Sequence, residues 1–246
     1  MASSQTVTLS LFRFGPALAR AWAFGQMGLV RGALGRTPDI QFWKLCGSGT
    51  GEGFTPVPNT AVYAILAAWP DEPTARARVA EAPVWQKYRA RSVEDCTIFL
   101  QAASARGVWA GAEPFEAHGD LPDGPLAALT RATVKPKIAL QFWKQVPNIS
   151  KVIGQDPNVA FKIGIGEVPW LHQVTFSIWP DTKTMGQFAR KDGPHARAIA
   201  AVREGNWFRE ELYARFRVLG ATGLWEGRTP LHRLDAPSSR PERSAA

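Results

Sequence analysis

The chain has 246 residues, 45% of them hydrophobic and 11% aromatic, enough for a substantial core in one large domain or two small ones. Lysine and arginine outnumber aspartate and glutamate 29 to 21, a formal charge of +8, yet the cations are dispersed and no zinc-finger or RNA-recognition signature occurs; this argues against nucleic acid and for an anionic membrane surface. Cys46 and Cys96 form no CxxC pair and read as small buried hydrophobes in a reducing, cytoplasmic setting; with no signal-like N-terminus and no apolar run of about eighteen residues, membrane association is expected to be peripheral.

In chain order, alternation over Val7 to Phe14 predicts a strand that ends at Gly15-Pro16. Leu18, Trp22, Phe24, Leu29, Val30 and Leu34 recur at helical spacing, with Gly35 as a C-cap. Ile40 to Cys46 is strand-like, residues 47–58 form a Gly/Pro loop, and Val62 to Trp69 is a buried strand. Glu72 to Arg91 is helical, with Pro83 marking a kink or a fresh start, and Cys96 to Ala102 is a fourth strand. Residues 6–112 therefore read as a β-α-β-β-α-β unit, and residues 113–132 as a linker. A second unit over 133–228 follows the same order: a strand from Ile138 to Trp143, a helical turn near Ile149 to Ile153, strands Val159 to Ile165 and Leu171 to Trp179, a helix from Thr182 to Glu204, and a strand from Leu212 to Val218. The Pro/Arg-rich stretch 229–246 reads as disordered.

Two short signatures support duplication. Trp69-Pro70-Asp71 recurs as Trp179-Pro180-Asp181, and Gly107-Val108-Trp109-Ala110-Gly111 as Gly223-Leu224-Trp225-Glu226-Gly227. Gly47-Ser48-Gly49 aligns with Gly164-Ile165-Gly166, whereas Gln41-Phe42-Trp43-Lys44 and Gln141-Phe142-Trp143-Lys144 fall on different strands of their units and are coincidental. The predicted fold is α+β: two tandem ferredoxin-like halves, their sheets packed face to face into an intrachain barrel with a ligand between or beside them.

If duplication supplies the scaffold, function sits where the halves differ. Aligning Pro83 with Pro194 sets Val84 against His195, whose helical neighbours Phe188, Ile199 and Val202 place it on an apolar face. That pattern suits either a packed histidine or the proximal ligand of an iron porphyrin, with Arg190, Lys191 and Arg197 as propionate partners or as a solvated face. His172 opens a strand and reads as a distal acid, a second ligand, or a strand-end histidine satisfied by backbone. Cys46 is a weaker thiolate candidate, and His118 and His232 lie where the scaffold is not expected to position them. No His/carboxylate cluster or nucleotide loop is evident.

Thr8-Leu9-Ser10-Leu11-Phe12-Arg13-Phe14, the Trp179-Pro180-Asp181 turn, Gly193-Pro194-His195-Ala196-Arg197-Ala198-Ile199 and Thr222-Gly223-Leu224-Trp225-Glu226-Gly227 together resemble the spheroidene monooxygenase family, the carotenoid 2-ketolases of purple photosynthetic bacteria, from Val7 to about Arg233. The resemblance implies haem, dioxygen and electrons from a ferredoxin-type donor. It also implies two successive hydroxylations at C-2 of an acyclic carotenoid (spheroidene to spheroidenone), with loss of water from the resulting gem-diol. Two other readings stay open: a cofactor-free oxygenase or isomerase on the same barrel, and a haem or hydrophobe carrier without turnover.

Overall fold

The computed structural model describes residues 4–51, 53, 55–121, 123–144, 158–190 and 207–234. Its strands are β1 (Thr6–Arg13), β2 (Phe42–Gly49), β3 (Pro58–Trp69), β4 (Glu94–Gly107), β5 (Leu126–Val134), β6 (Phe161–Gly166), β7 (His172–Trp179) and β8 (Phe208–Gly223). They close into one barrel in the order β1-β3-β2-β6-β7-β5-β8-β4, every neighbouring pair antiparallel. The two sets of four strands thus meet edge to edge rather than face to face, because pairing β4 with β8 and β2 with β6 removes all four free edges.

Inward-facing Val7, Leu9, Leu11, Leu66, Ile98, Leu100, Leu129, Phe176 and Phe216 fill the interior as one cluster. Helices α1 (Ala17–Leu29), α2 (Arg31–Gly35), α3 (Glu72–Glu81) and α4 (Pro83–Arg89) cover the outside of the first four strands. β1 is consequently buried on both faces, and its outward polar groups are satisfied: Trp69 Nε1 donates to Thr8 Oγ1 at 2.9 Å, Trp85 Nε1 to Ser10 Oγ at 2.9 Å, and Ser10 Oγ lies 2.8 Å from Thr97 Oγ1. Pro83 does begin a fresh helix. Asp71 and Asp181 cap α3 and α5 (Thr182–Arg190), accepting from Thr74 N at 2.8 Å and Thr184 N at 2.7 Å, so each Trp-Pro-Asp turn is a strand end joined to a helix start.

The inter-half registers are symmetric under exchange of the aligned segments. Gly47 lies opposite Gly166 and Ser48 opposite Ile165; Gly107 lies opposite Leu212 and Cys96 opposite Gly223. In both Gly-x-Trp-x-Gly hairpins the tryptophan bridges a residue three positions on, and the two positions between them repeat one conformation, with Ala110 and Glu226 at φ 54° and 57° and Gly111 and Gly227 at 77° and 73°. Gly107 and Gly223 also adopt positive φ, and a Cβ at either would strike the backbone of Glu211 or Asp95.

Three expectations are corrected. The second unit starts with β5 at Leu126, inside the supposed 113–132 linker. Ile138 to Trp143 is not a strand: Pro136–Ile138 is a 3-10 turn running into helix at 139–144, where Ala139 and Trp143, four residues apart, are buried and Leu140 is exposed. Residues 229–234 are not a free tail, since Leu231 and Leu234 pack on the core, His232 Nδ1 sits 2.8 Å from Thr229 O and Arg233 Nη1 donates to Val159 O at 3.1 Å.

Candidate active site

The barrel interior is apolar except near its ends. Lys44, Arg131 and His172 take inward positions on β2, β5 and β7, and Glu167 follows β6. Trp109 Nε1 donates to Glu167 Oε2 at 2.6 Å, Lys44 Nζ lies 3.4 Å from Glu167 Oε1, and Arg131 Nη1 donates to Glu210 Oε2 at 2.6 Å. The amides of Ala110 and Gly111 also donate to Glu210, at 3.0 and 3.1 Å. Burial works against the Glu210 carboxylate, but the hydrogen bonds from Arg131 and these amides outweigh it and hold its pKa below the ordinary value.

β1 and β5 run in opposite directions, so the corresponding constellation lies at the other end: Arg13 Nε lies 3.0 Å from Glu94 Oε2, the Gly227 amide donates to Glu94 at 2.7 Å, and the Arg13 guanidinium sits 4.5 Å from the Trp225 ring. Trp69 lies opposite Thr6 and Trp179 opposite Leu126, which makes Thr133 the positional equivalent of Arg13. Arg131 therefore lies two residues deeper than its counterpart, and its side chain is 1% exposed against 33% for Arg13. The Arg131 end adds Lys44, Glu167 and His172 to the shared Arg/Glu/Trp set.

Three buried polar atoms at this end have no hydrogen-bond partner among the described residues: Arg131 Nε, Thr133 Oγ1 and His172 Nδ1. Thr133 and His172 are cross-strand partners. His172 Nδ1 is 3.4 Å from Glu167 Oε2, a contact without hydrogen-bond alignment. Such convergence is the environment of a bound water or a polar ligand atom. Burial, aided by Arg131, lowers the His172 pKa against the opposing pull of Glu167, so the imidazole is held neutral. A histidine with depressed folded pKa contributes stability that is fully present above its ordinary value of 6.5 and is lost as pH falls toward the folded value. Urea unfolding from pH 7 to 5.5 should show falling stability, and His172→Gln should flatten that slope; an unchanged slope in the variant would assign the effect to other groups.

Beside this cluster, where β2 meets β6, lies a mainly apolar cleft of about 230 Å³ walled by Phe24, Met27, Tyr63, Trp143, Ile165 and Trp170 and bounded by Glu167 and His172. Trp170 adopts φ 71°, a strained conformation for a bulky residue, and its carbonyl accepts from Trp143 Nε1 at 3.0 Å. Gly166 and Gln173 also line the cleft, and the next outward positions along their strands are Gly164 and Thr175. With Ala128, Thr130 and Ser177 these form a floor of small side chains on the outer sheet face, beside which Met185 and Phe188 of α5 pack on Leu126 and Trp179. A larger cavity of about 380 Å³ at the opposite end is polar, with Arg13, Lys162, Arg228 and Arg233 in its wall.

Of the residues singled out in the sequence, His172 opens β7 facing the barrel interior, whereas α5 packs on the outer face of the same sheet; the described residues do not bring the two together. Arg190 is the last residue of α5; its side chain, together with His195 and Arg197, lies outside the described residues. Cys46 is sealed in the apolar interior, where burial pushes its thiol pKa far up, so it is no thiolate ligand. Lys44, Arg131, Glu167 and Glu210 were not anticipated. A signal for Glu167 exists: it follows the second Gly-x-Gly where the first half has Thr50.

No protein-family model matches the chain. It is 52% identical to the spheroidene monooxygenase of Cereibacter sphaeroides, over 98% of this chain and 77% of the relative, and 53% identical to that of Rhodobacter capsulatus, over 91% and 94%. Among solved structures, an aldoxime dehydratase in complex with butyraldoxime matches with TM-score 0.60 at 10% identity over 88% of this chain and 80% of that one, a likeness of fold. At this identity along nearly the whole length, the chain belongs to the spheroidene monooxygenase family.

Proposed function

We propose that the protein is a carotenoid monooxygenase that introduces a keto group at C-2 of an acyclic carotenoid, converting spheroidene to spheroidenone. The identity of 52 to 53% to spheroidene monooxygenases carries this reading. Each of two rounds inserts one atom of dioxygen into a C–H bond and reduces the other to water, drawing two electrons from a ferredoxin-type donor and two protons. The gem-diol then loses water to give the ketone. The scaffold in this reading is two ferredoxin-like halves, supported by their shared strand order and symmetric registers.

Haem, when bound, supplies the dioxygen activation that no side chain provides. The floor of Gly164, Thr175, Thr130 and Ala128 suits a flat macrocycle, because no side chain on it is larger than threonine. His195 is the residue proposed to hold the iron, and Arg190 and Arg197 the propionates. Around the substrate, Phe24, Trp143 and Trp170 give the cleft an aromatic wall that takes up an apolar polyene end and keeps water away. At the base of the cleft the neutral His172 ring, its Nδ1 unpartnered, accepts a hydrogen bond from the first-formed hydroxyl and retains that product for the second round. Glu167, fixed by Trp109 and Lys44, holds this end in place.

Expression in cells that accumulate spheroidene tests the assignment. Chromatography should show the ketone, and His172→Ala should raise the share of monohydroxylated product. Absence of any oxygenated carotenoid with folded, haem-loaded protein would overturn it.

A further inference from the structure

α1 turns a broad apolar arc to water, bordered by the exposed Arg20. Its buried side packs Ala23 into the core and Trp22 against Phe14 and Tyr88. Its outward side consists of Ala17, Leu18, Ala21, Phe24, Gly25, Gly28 and Leu29, all exposed. Leu18 is 86% exposed, Phe24 68% and Leu29 79%, and these positions fall within an arc uninterrupted by any charge. Leu18, Trp22, Phe24, Leu29, Val30 and Leu34 recur at helical spacing, and in the structure Val30 and Leu34 are buried whereas Leu18, Phe24 and Leu29 are exposed. An unbroken apolar arc of this width on the outside of a helix marks a contact surface.

The chemistry of the cover is set by what rims the patch. Residues 14–38 contain Arg20, Arg31 and Arg36 and no aspartate or glutamate, and Arg91 lies 4.6 Å over the Trp22 ring. A second copy of the chain would bring the same cations against themselves, whereas an anionic lipid headgroup layer is complementary to them. The apolar surface continues beyond α1 through exposed Val168 and Trp170, which with Phe24 line the mouth of the 230 Å³ cleft.

We propose that α1 lies in the plane of an anionic bilayer surface, with Leu18, Phe24 and Leu29 among the acyl chains, Trp170 at the headgroup level and the arginines on lipid phosphates. The cleft mouth then opens into the lipid rather than into water. This placement does not depend on which substrate is used, and the test contains none.

The full chain is co-sedimented with vesicles of phosphatidylcholine alone or with phosphatidylglycerol, at low and high salt, and its oligomeric state is measured by analytical ultracentrifugation. Wild type should bind anionic vesicles, weakening as salt rises. The triple variant Leu18→Gln/Phe24→Gln/Leu29→Gln should bind about tenfold or more weakly. Arg31→Gln/Arg36→Gln should lose the anionic preference, and Leu224→Gln, exposed elsewhere, should behave as wild type. Because the substituted side chains are exposed, unchanged thermal unfolding is expected, and Phe24→Gln alone serves if the triple variant unfolds early. Wild-type-like binding by the triple variant, absence of binding by wild type, or a dimer that the triple variant dissociates with vesicle binding unaffected would each overturn the proposal.

Discussion

Replacing His195 with alanine is expected to abolish the Soret band of protein assembled with haem while leaving its far-ultraviolet circular dichroism unchanged. The argument is by chemistry and place. Neutral imidazole and thiolate are two of the axial ligands that haem iron takes, and the histidines and cysteines of the chain can be compared on that ground. Both cysteines are buried with thiols pushed far up, His232 is engaged with Thr229, His118 is exposed beside Glu116, and His172 faces the barrel interior. His195 follows α5 in the sequence between β7 and β8, and the described part of α5 packs on the outer face beside the floor of small residues. Titration of apoprotein with haem separates the outcomes. A Soret band kept in His195→Ala but lost in His172→Ala would move the ligand into the barrel.

Arg131→Met should be the most destabilising single change at the inner end. It leaves Glu210 without its cation, while Glu167 keeps Lys44, and breaking a buried pair from one side costs about 3–5 kcal/mol. Glu210 is 28% exposed and regains some hydration, which places the expectation at the lower limit, about 3 kcal/mol. In a chain of this size that corresponds to a fall of roughly 6–12 °C in Tm. Arg131→Met/Glu210→Gln should recover part of the loss, because the second change removes the stranded charge. A loss under about 1 kcal/mol in the single variant would show that the pair is solvated after all.

Much of the fold was readable because its signals are local. Asp71 and Asp181 sit where a capping side chain is needed, and the Gly-x-Trp-x-Gly hairpins need glycine at positive φ in both copies. β5 escaped because Leu126-Ala-Ala-Leu-Thr-Arg-Ala-Thr-Val is rich in helix formers and carries an arginine that alternation would place outside; only closure of the barrel buries it. Ile138 to Trp143 misled in the opposite direction, its aromatic residues reading as strand while Ala139 and Trp143 follow helical spacing. The inner cluster draws Lys44, Trp109, Arg131, Glu167, His172 and Glu210 from separate elements, and no short window of sequence contains a pairing of that kind.

The two joints that close the barrel are unequal. β4 and β8 pair from Cys96 opposite Gly223 to Gly107 opposite Leu212, whereas β2 and β6 share, among the described residues, only Gly47 opposite Gly166 and Ser48 opposite Ile165. Glycine at two of those four positions leaves few side chains to brace the short joint. Local opening therefore concentrates there, and amide hydrogen exchange at Ser48 and Ile165 should run far ahead of that along β4. The cleft borders that joint, so the proposed entry for substrate and the barrel's breathing point coincide, and a ligand bound across it would act as the missing rung.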